Sequence, residues 1–155
     1  MKNIFLVASP LQILCSYEFS KKFAAKNNLI CPIYIKGAHL RNKQIKNTIE
    51  TFGFKNVKNI NVEFTNFLQL KIISTLIKFF LLRKFIGKEN YRLVLGDFRD
   101  KTMHISRIFF KPKEVFVIDD GFASYFAGKN YLMKSIFFPN KNKFFNSLLK
   151  VFFKY

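Results

Sequence analysis

Short apolar runs alternate with helix-length segments five times along this chain, and no other feature restricts its fold as strongly. Asn3 to Ala8 is a continuous apolar run after a short approach, the pattern of a parallel strand covered on both faces. Pro10 suits the first turn of a helix with Ser9 as its N-cap, and that helix is expected to reach Asn27. Leu29 to Lys36 reads as a second strand, and Arg41 to Phe52 as a second helix closed by Gly53. Val57 to Glu63 is a weaker, alternating strand. Phe67 to Ile86 is a third helix, Tyr91 to Leu95 a fourth strand, Arg99 to Phe110 a fourth helix and Glu114 to Ile118 a fifth strand. Such alternation implies an α/β fold, a Rossmann-like parallel sheet with helices on both faces.

A chain of 155 residues can bury a sizeable core, as one ordinary domain or as half of a two-domain enzyme. Half of its residues are hydrophobic, which argues against disorder despite a net charge of +18. Of 27 basic residues 22 are Lys and 5 Arg, in company with 22 Phe and 14 Asn. An AT-rich coding sequence over-supplies Lys, Asn, Phe and Ile, which accounts for much of the charge. The Lys bias argues against nucleic acid as partner, because Arg makes most bidentate base contacts.

Cys15 and Cys31 show no CxxC or zinc spacing and have apolar neighbours, so two reduced core thiols are expected and no metal site. Lys2 followed by Ile4 to Ala8 superficially mimics a signal peptide. Pro10 interrupts it, no small-residue cleavage site follows, and Leu14 before Cys15 does not fit a lipoprotein signal. A cytoplasmic location is expected. In the third helix Lys71, Ser74, Thr75 and Lys78 form a narrow polar stripe, and the helix's four cations argue against a membrane span.

The last 27 residues, 129–155, hold six Lys, six Phe and no acid. Lys143, Asn146, Ser147, Lys150 and Lys154 share one helical face and Phe144, Phe145, Leu148, Leu149, Phe152 and Phe153 crowd the rest. The chain therefore reads as a Rossmann-like domain over 1–128 and a basic amphipathic segment over 129–155. That segment suits an anionic inner-membrane surface or an interdomain contact.

All four aspartates, Asp97, Asp100, Asp119 and Asp120, fall within 24 residues. Two of them close the fifth strand in Val117-Ile118-Asp119-Asp120-Gly121. The C-terminal ends of parallel strands form the ligand crevice, and adjacent carboxylates there are costly unless solvated or used as a base. The plainer role is a cap on a following helix, with Gly121 in the turn. In Leu95-Gly96-Asp97-Phe98-Arg99-Asp100, Gly96 permits close backbone approach or positive φ, and Arg99 can pair with a carboxylate or phosphate. The plainer role there is Asp97 as N-cap with Asp100 at N3. Ser9-Pro10-Leu11-Gln12 places another helix N-terminus at the same edge.

Together, Ser9-Pro10-Leu11-Gln12, Leu95-Gly96-Asp97-Phe98-Arg99 and Val117-Ile118-Asp119-Asp120-Gly121-Phe122-Ala123-Ser124 resemble the N-terminal half of bacterial sialyltransferases, closest to the alpha-2,8-polysialyltransferase family and glycosyltransferase family 52. The likeness runs from Asn3 to about Tyr125. It implies the N-terminal, acceptor-side domain of a GT-B glycosyltransferase, with the active site between two Rossmann-like halves. It also implies an inverting transfer of sialic acid from CMP-sialic acid to a glycan acceptor in capsule or lipooligosaccharide synthesis, with no metal and no cofactor. Asp119 and Asp120 would carry the general base, Asp120 the favoured one. Gly121 would turn the backbone beneath the acceptor, and Ser9, Gln12, Gly96, Asp97 and Arg99 would line the acceptor side.

The family's second half carries a His-Pro motif and a serine-rich loop. Here His39 precedes Leu40 and His104 precedes Ile105, so neither makes the motif, and His104 is expected as an ordinary helix residue. The donor-binding half is expected to be absent from this chain, which by itself would be inactive, and CMP-sialic acid would reach it through that second domain. A membrane-peripheral location on the inner face follows from the basic surface. Two alternatives stay open: a hexosyltransferase of the same fold, since donor recognition resides in the other half, or a basic membrane- or nucleic-acid-binding module without catalysis.

Overall fold

The computed structural model describes residues 1–25, 27–62, 68–87, 90–97 and 100–118. The chain divides into two units, Met1–Asp120 and Gly121–Tyr155. The expected boundary at 128/129 and the basic amphipathic segment lie outside the described residues.

Among the described residues nine elements follow one another as β1 (Lys2–Val7), α1 (Pro10–Lys22), β2 (Asn28–Ile35), α2 (His39–Thr51), β3 (Ile60–Val62), α3 (Leu68–Ile86), β4 (Tyr91–Leu95), α4 (Lys101–Phe110) and β5 (Glu114–Val117). The strands form one sheet in the order β3-β2-β1-β4-β5, every pairing parallel. This is the expected Rossmann-like α/β arrangement.

The chain steps outward from β1 to β3, and then α3 carries it back to β4 on the other side of β1. Right-handed crossovers place the helices of the two halves on opposite faces when the direction reverses in this way. The core is partitioned accordingly. Phe5, Val7, Ile30 and Val94 pack with Ile13 of α1 and Ile45 and Ile49 of α2. Ile4, Leu6, Leu29, Cys31, Leu93 and Leu95 pack with Phe79, Leu82 and Ile86 of α3 and Met103 and Phe110 of α4. Neighbouring residues of β1 therefore feed two cores, which is why the run from Ile4 to Val7 has no polar interruption.

Several boundaries differ from expectation, α2 among them in starting at His39 rather than Arg41, and three have a clear local reason. Helix α1 ends at Lys22 rather than Asn27. Phe23 leaves helical geometry (φ −111°, ψ 68°), stacks on Phe19 at 4.5 Å, and its carbonyl accepts a hydrogen bond from Asn3 Nδ2 at 3.0 Å. Asn3 Nδ2 also donates to Asn28 Oδ1 at 3.1 Å, so one buried amide ties the end of α1 and the start of β2 to β1. Strand β3 shrinks to Ile60–Val62, with Val57 forming only an isolated bridge to Ile30, because it is an edge strand whose preceding Lys58 and Asn59 stay exposed.

The third boundary is the start of α4, at Lys101 rather than Arg99. Asp100 Oδ1 accepts the Met103 N–H at 3.3 Å and its carbonyl accepts the His104 N–H at 3.2 Å, so Asp100 is the cap and Asp97 is not. The Asp97 carbonyl accepts the Asp100 N–H at 3.4 Å, a turn that precedes the helix. Gly53 closes α2 as expected, at φ 67°. His104 lies within α4. No helix among the described residues is long and apolar enough to cross a membrane.

Neither cysteine is in a disulfide; Cys31 is wholly buried and Cys15 half-buried on α1. Burial pushes the Cys31 thiol from its ordinary 9.0 to about 12. Iodoacetamide at mildly alkaline pH should therefore modify Cys15 and spare Cys31 until the chain is unfolded, read by mass spectrometry of peptides. Between pH 9.0 and about 12 the unfolded chain gives up the Cys31 proton and the folded chain keeps it. The stabilisation is complete below that window and falls as pH rises through it, by at most about 1.4 kcal/mol per pH unit. Urea unfolding of Cys31→Val across the same range should show a shallower decline.

Candidate functional site

In an open parallel sheet the ligand crevice opens at the C-terminal strand ends, where the strand order reverses. Here that point lies between β1 and β4, and it is built from Ala8-Ser9-Pro10 on one side and Leu95-Gly96-Asp97 on the other.

The β1 side is a capped helix start. Ser9 is extended (φ −146°, ψ 158°), its hydroxyl accepts the Gln12 N–H at 3.2 Å, and Pro10 occupies the first helical turn. Gln12 folds its amide back over the cap, and its Oε1 accepts the Ala8 N–H at 2.6 Å. This is a capping box that reaches one residue beyond the N-cap. Ser16, also buried, donates to the Gln12 carbonyl at 2.7 Å. Gln12 is only 3 % exposed, so its side chain holds the corner closed rather than lining open space.

The β4 side fits against it. The Gly96 N–H donates to the Leu6 carbonyl at 2.8 Å, extending the ladder between β1 and β4 by one bond. A Cβ on Gly96 would stand 2.4 Å from Gln12 Oε1 and 2.9 Å from the Leu6 carbonyl oxygen. Gly96 is not among the glycines with positive φ. Of its two expected uses, close backbone approach is therefore the one seen: a side chain would separate the two strands at the crevice. Ile118 extends β5 similarly, its N–H donating to the Leu95 carbonyl at 2.9 Å.

A third corner contributes a charge that the sequence reading did not single out. Arg41, in the first turn of α2, donates through Nε (3.0 Å) and Nη2 (2.5 Å) to the Ala8 carbonyl. Asn42 beside it accepts the Ile35 N–H at 3.2 Å and donates to the Ile35 carbonyl at 2.8 Å. The available signal was position: Arg41 is one of five arginines and follows directly on a strand and a glycine turn. No acid stands in the first turn of α1 or α2, so two positive dipole ends and the Arg41 guanidinium share this edge. Such an edge attracts an anionic group.

Of the expected site residues, Ser9, Gln12, Gly96 and Asp97 are thus brought to one crevice, Asp97 half-buried directly after Gly96. Arg99, Asp119, Asp120 and Gly121 lie outside the described residues. Among the described residues no group of three or more His, Cys, Asp or Glu stands close enough to hold a metal ion. The chain matches no protein-family model and no curated protein.

The tight fit of Gly96 against Gln12 can be measured as a coupling. Gly96→Ala should cost about 1–3 kcal/mol by overpacking. Gln12→Ala should cost about 1–3 kcal/mol by orphaning the Ala8 N–H. In the double variant the removed amide makes room, so the two costs should fall short of additive by about 0.5–3 kcal/mol. Urea unfolding of the four proteins supplies the cycle; strict additivity would refute the contact.

Proposed function

We propose that this chain is the acceptor-side half of a bacterial sialyltransferase of the GT-B type, transferring sialic acid from CMP-sialic acid to a glycan with inversion. The observation that supports this reading best is the meeting of Ser9-Pro10-Leu11-Gln12 and Gly96-Asp97 at the reversal of strand order. These are two of the three strings that resemble the family, and they stand where folds of this kind take a ligand. The third string, Asp119-Asp120-Gly121, follows Ile118, the last residue that pairs with β4.

In the proposed reaction a carboxylate, Asp120 in preference to Asp119, accepts the proton of an acceptor hydroxyl as its oxygen attacks the anomeric carbon. The bond from that carbon to the CMP phosphate breaks, and CMP leaves with the electron pair. The helix N-termini and Arg41 favour an acceptor that is itself anionic, as a sialylated glycan is. The donor would be held by a second Rossmann-like half carrying the His-Pro motif. A hexosyltransferase of the same fold is the second reading, because the described crevice does not choose the donor.

The test supplies a donor-side domain to this chain, in fusion or in trans, and follows radiolabelled sialic acid from CMP-sialic acid to an oligosialic acid. Transfer is expected, and Asp119→Ala with Asp120→Ala together should lower it by about 10²–10⁴-fold with an unchanged thermal transition. Undiminished transfer by the double variant would overturn the base assignment. Transfer from a nucleotide hexose, with none from CMP-sialic acid, would move the chain to the second reading.

A further inference from the structure

Helix α3 is apolar over most of its circumference, yet the sheet covers only one side of it. Phe79, Leu82 and Ile86 point inward and are buried with the sheet and α4. Ile77, Phe80, Leu81, Lys84 and Phe85 occupy the opposite arc, about 140° wide at 3.6 residues per turn. The four apolar members are each 53–57 % exposed. The expected polar stripe enters this arc only at Ser74; Lys78, at its border, donates to the Asn61 carbonyl. Other exposed large apolar residues of the described chain are spread over Met1, α1, α2 and β5.

The two charged side chains that stand against its rings are both cations. Lys84 Nζ stands 5.6 Å from the Phe80 ring centre, and Lys58 Nζ 4.2 Å from that of Phe85. From Phe64 to Lys88 the sequence holds five cations and no acid. A second copy of the chain packed on this face would bring its own cations against these, a repulsive arrangement. Nucleic acid would satisfy the cations and leave the aliphatic side chains in water. An anionic lipid surface satisfies both, since headgroups take the ammonium groups while the acyl boundary takes the Ile, Leu and Phe side chains.

We infer that the exposed face of α3 docks this protein in the plane of an anionic membrane, with Ile77, Phe80, Leu81 and Phe85 inserted and Lys58 and Lys84 at headgroup level. The assignment does not rest on the sialyltransferase reading, and lipid binding and sugar transfer fail separately.

The chain has no Trp, so a single one reports on its own surroundings. The full chain is prepared as Leu81→Trp and, as control, as Leu40→Trp, whose site on α2 is 73 % exposed. Each is mixed with vesicles of equal parts phosphatidylcholine and phosphatidylglycerol bearing brominated acyl chains. Emission of the Leu81→Trp protein should shift to the blue and be quenched, that of the Leu40→Trp protein should not, and neither should respond to phosphatidylcholine alone. Phe80→Ser, Leu81→Ser and Phe85→Ser combined should cut partitioning about tenfold or more with the thermal transition retained. Lys58→Gln with Lys84→Gln should weaken the quenching of the Leu81→Trp reporter on anionic vesicles. Vesicle binding that leaves the Leu81→Trp signal unchanged would overturn the inference, as would equal quenching of both reporters. A blue shift without lipid that grows with protein concentration would assign the face to a second copy instead. The Trp readout stands even if the triple Ser variant does not fold.

Discussion

Burial of β1 on both faces is the interaction on which the remaining structure depends. Ile4 and Leu6 enter one core and Phe5 and Val7 the other, so each core needs its own cover of helices. Partners on both edges are equally obligatory, because an unpaired backbone N–H or C=O in an apolar interior costs as much as a lost hydrogen bond. Strand β2 satisfies one edge and β4 the other. A chain that adds strands outward on one side and then returns to the other must cross the sheet once, and α3 is that crossing. The reversal of strand order therefore lies at β1, so the place where folds of this kind take a ligand follows from how the central strand is buried.

The corner at that crevice is packed rather than open. Four backbone groups at the ends of β1 and β4 are engaged: the Ala8 N–H by Gln12, the Ala8 carbonyl by Arg41, and the Leu6 carbonyl and Gly96 N–H by each other. Bonds from α1, α2 and the end of β4 thus fix the end of β1. In the same way Asp100, by taking over the cap of α4, relieves Asp97 of that task at the crevice edge. The charge of the surface divides into two regions with different chemistry. Near the crevice the Arg41 guanidinium and two helix N-termini stand with Asp97, whereas α3 carries cations among exposed apolar side chains and no acid.

Much of the fold was legible because parallel strands buried on both faces leave a blunt trace in sequence. The runs at β1, β2, β4 and β5 lie within a residue or two of where the strands form. The trace fades where partners outside the local sequence decide. Helix α1 stops at Lys22 because Asn3, distant in sequence, claims the Phe23 carbonyl. At α4 two aspartates three residues apart offer equivalent capping chemistry, and only the path of the backbone selects Asp100. At the crevice, the cap by Ser9 could be read from Ser-Pro alone. The burial of Gln12 could not, because it follows from the approach of Gly96 on a strand more than eighty residues away.

Sequence alone therefore determined the element types, the parallel sheet, the capped start of α1 and the placement of Ser9, Gln12, Gly96 and Asp97 at strand ends, since each rests on residue preferences that act within a few positions. Tertiary structure decided the order β3-β2-β1-β4-β5, and with it which two strand ends face each other across the reversal. It also decided that Arg41 reaches the end of β1, and which side of the largely apolar α3 stays in water. Those outcomes depend on what packs against each surface. A helix apolar over most of its circumference, with its polar stripe off to one side, carries little local record of which face its sheet will cover.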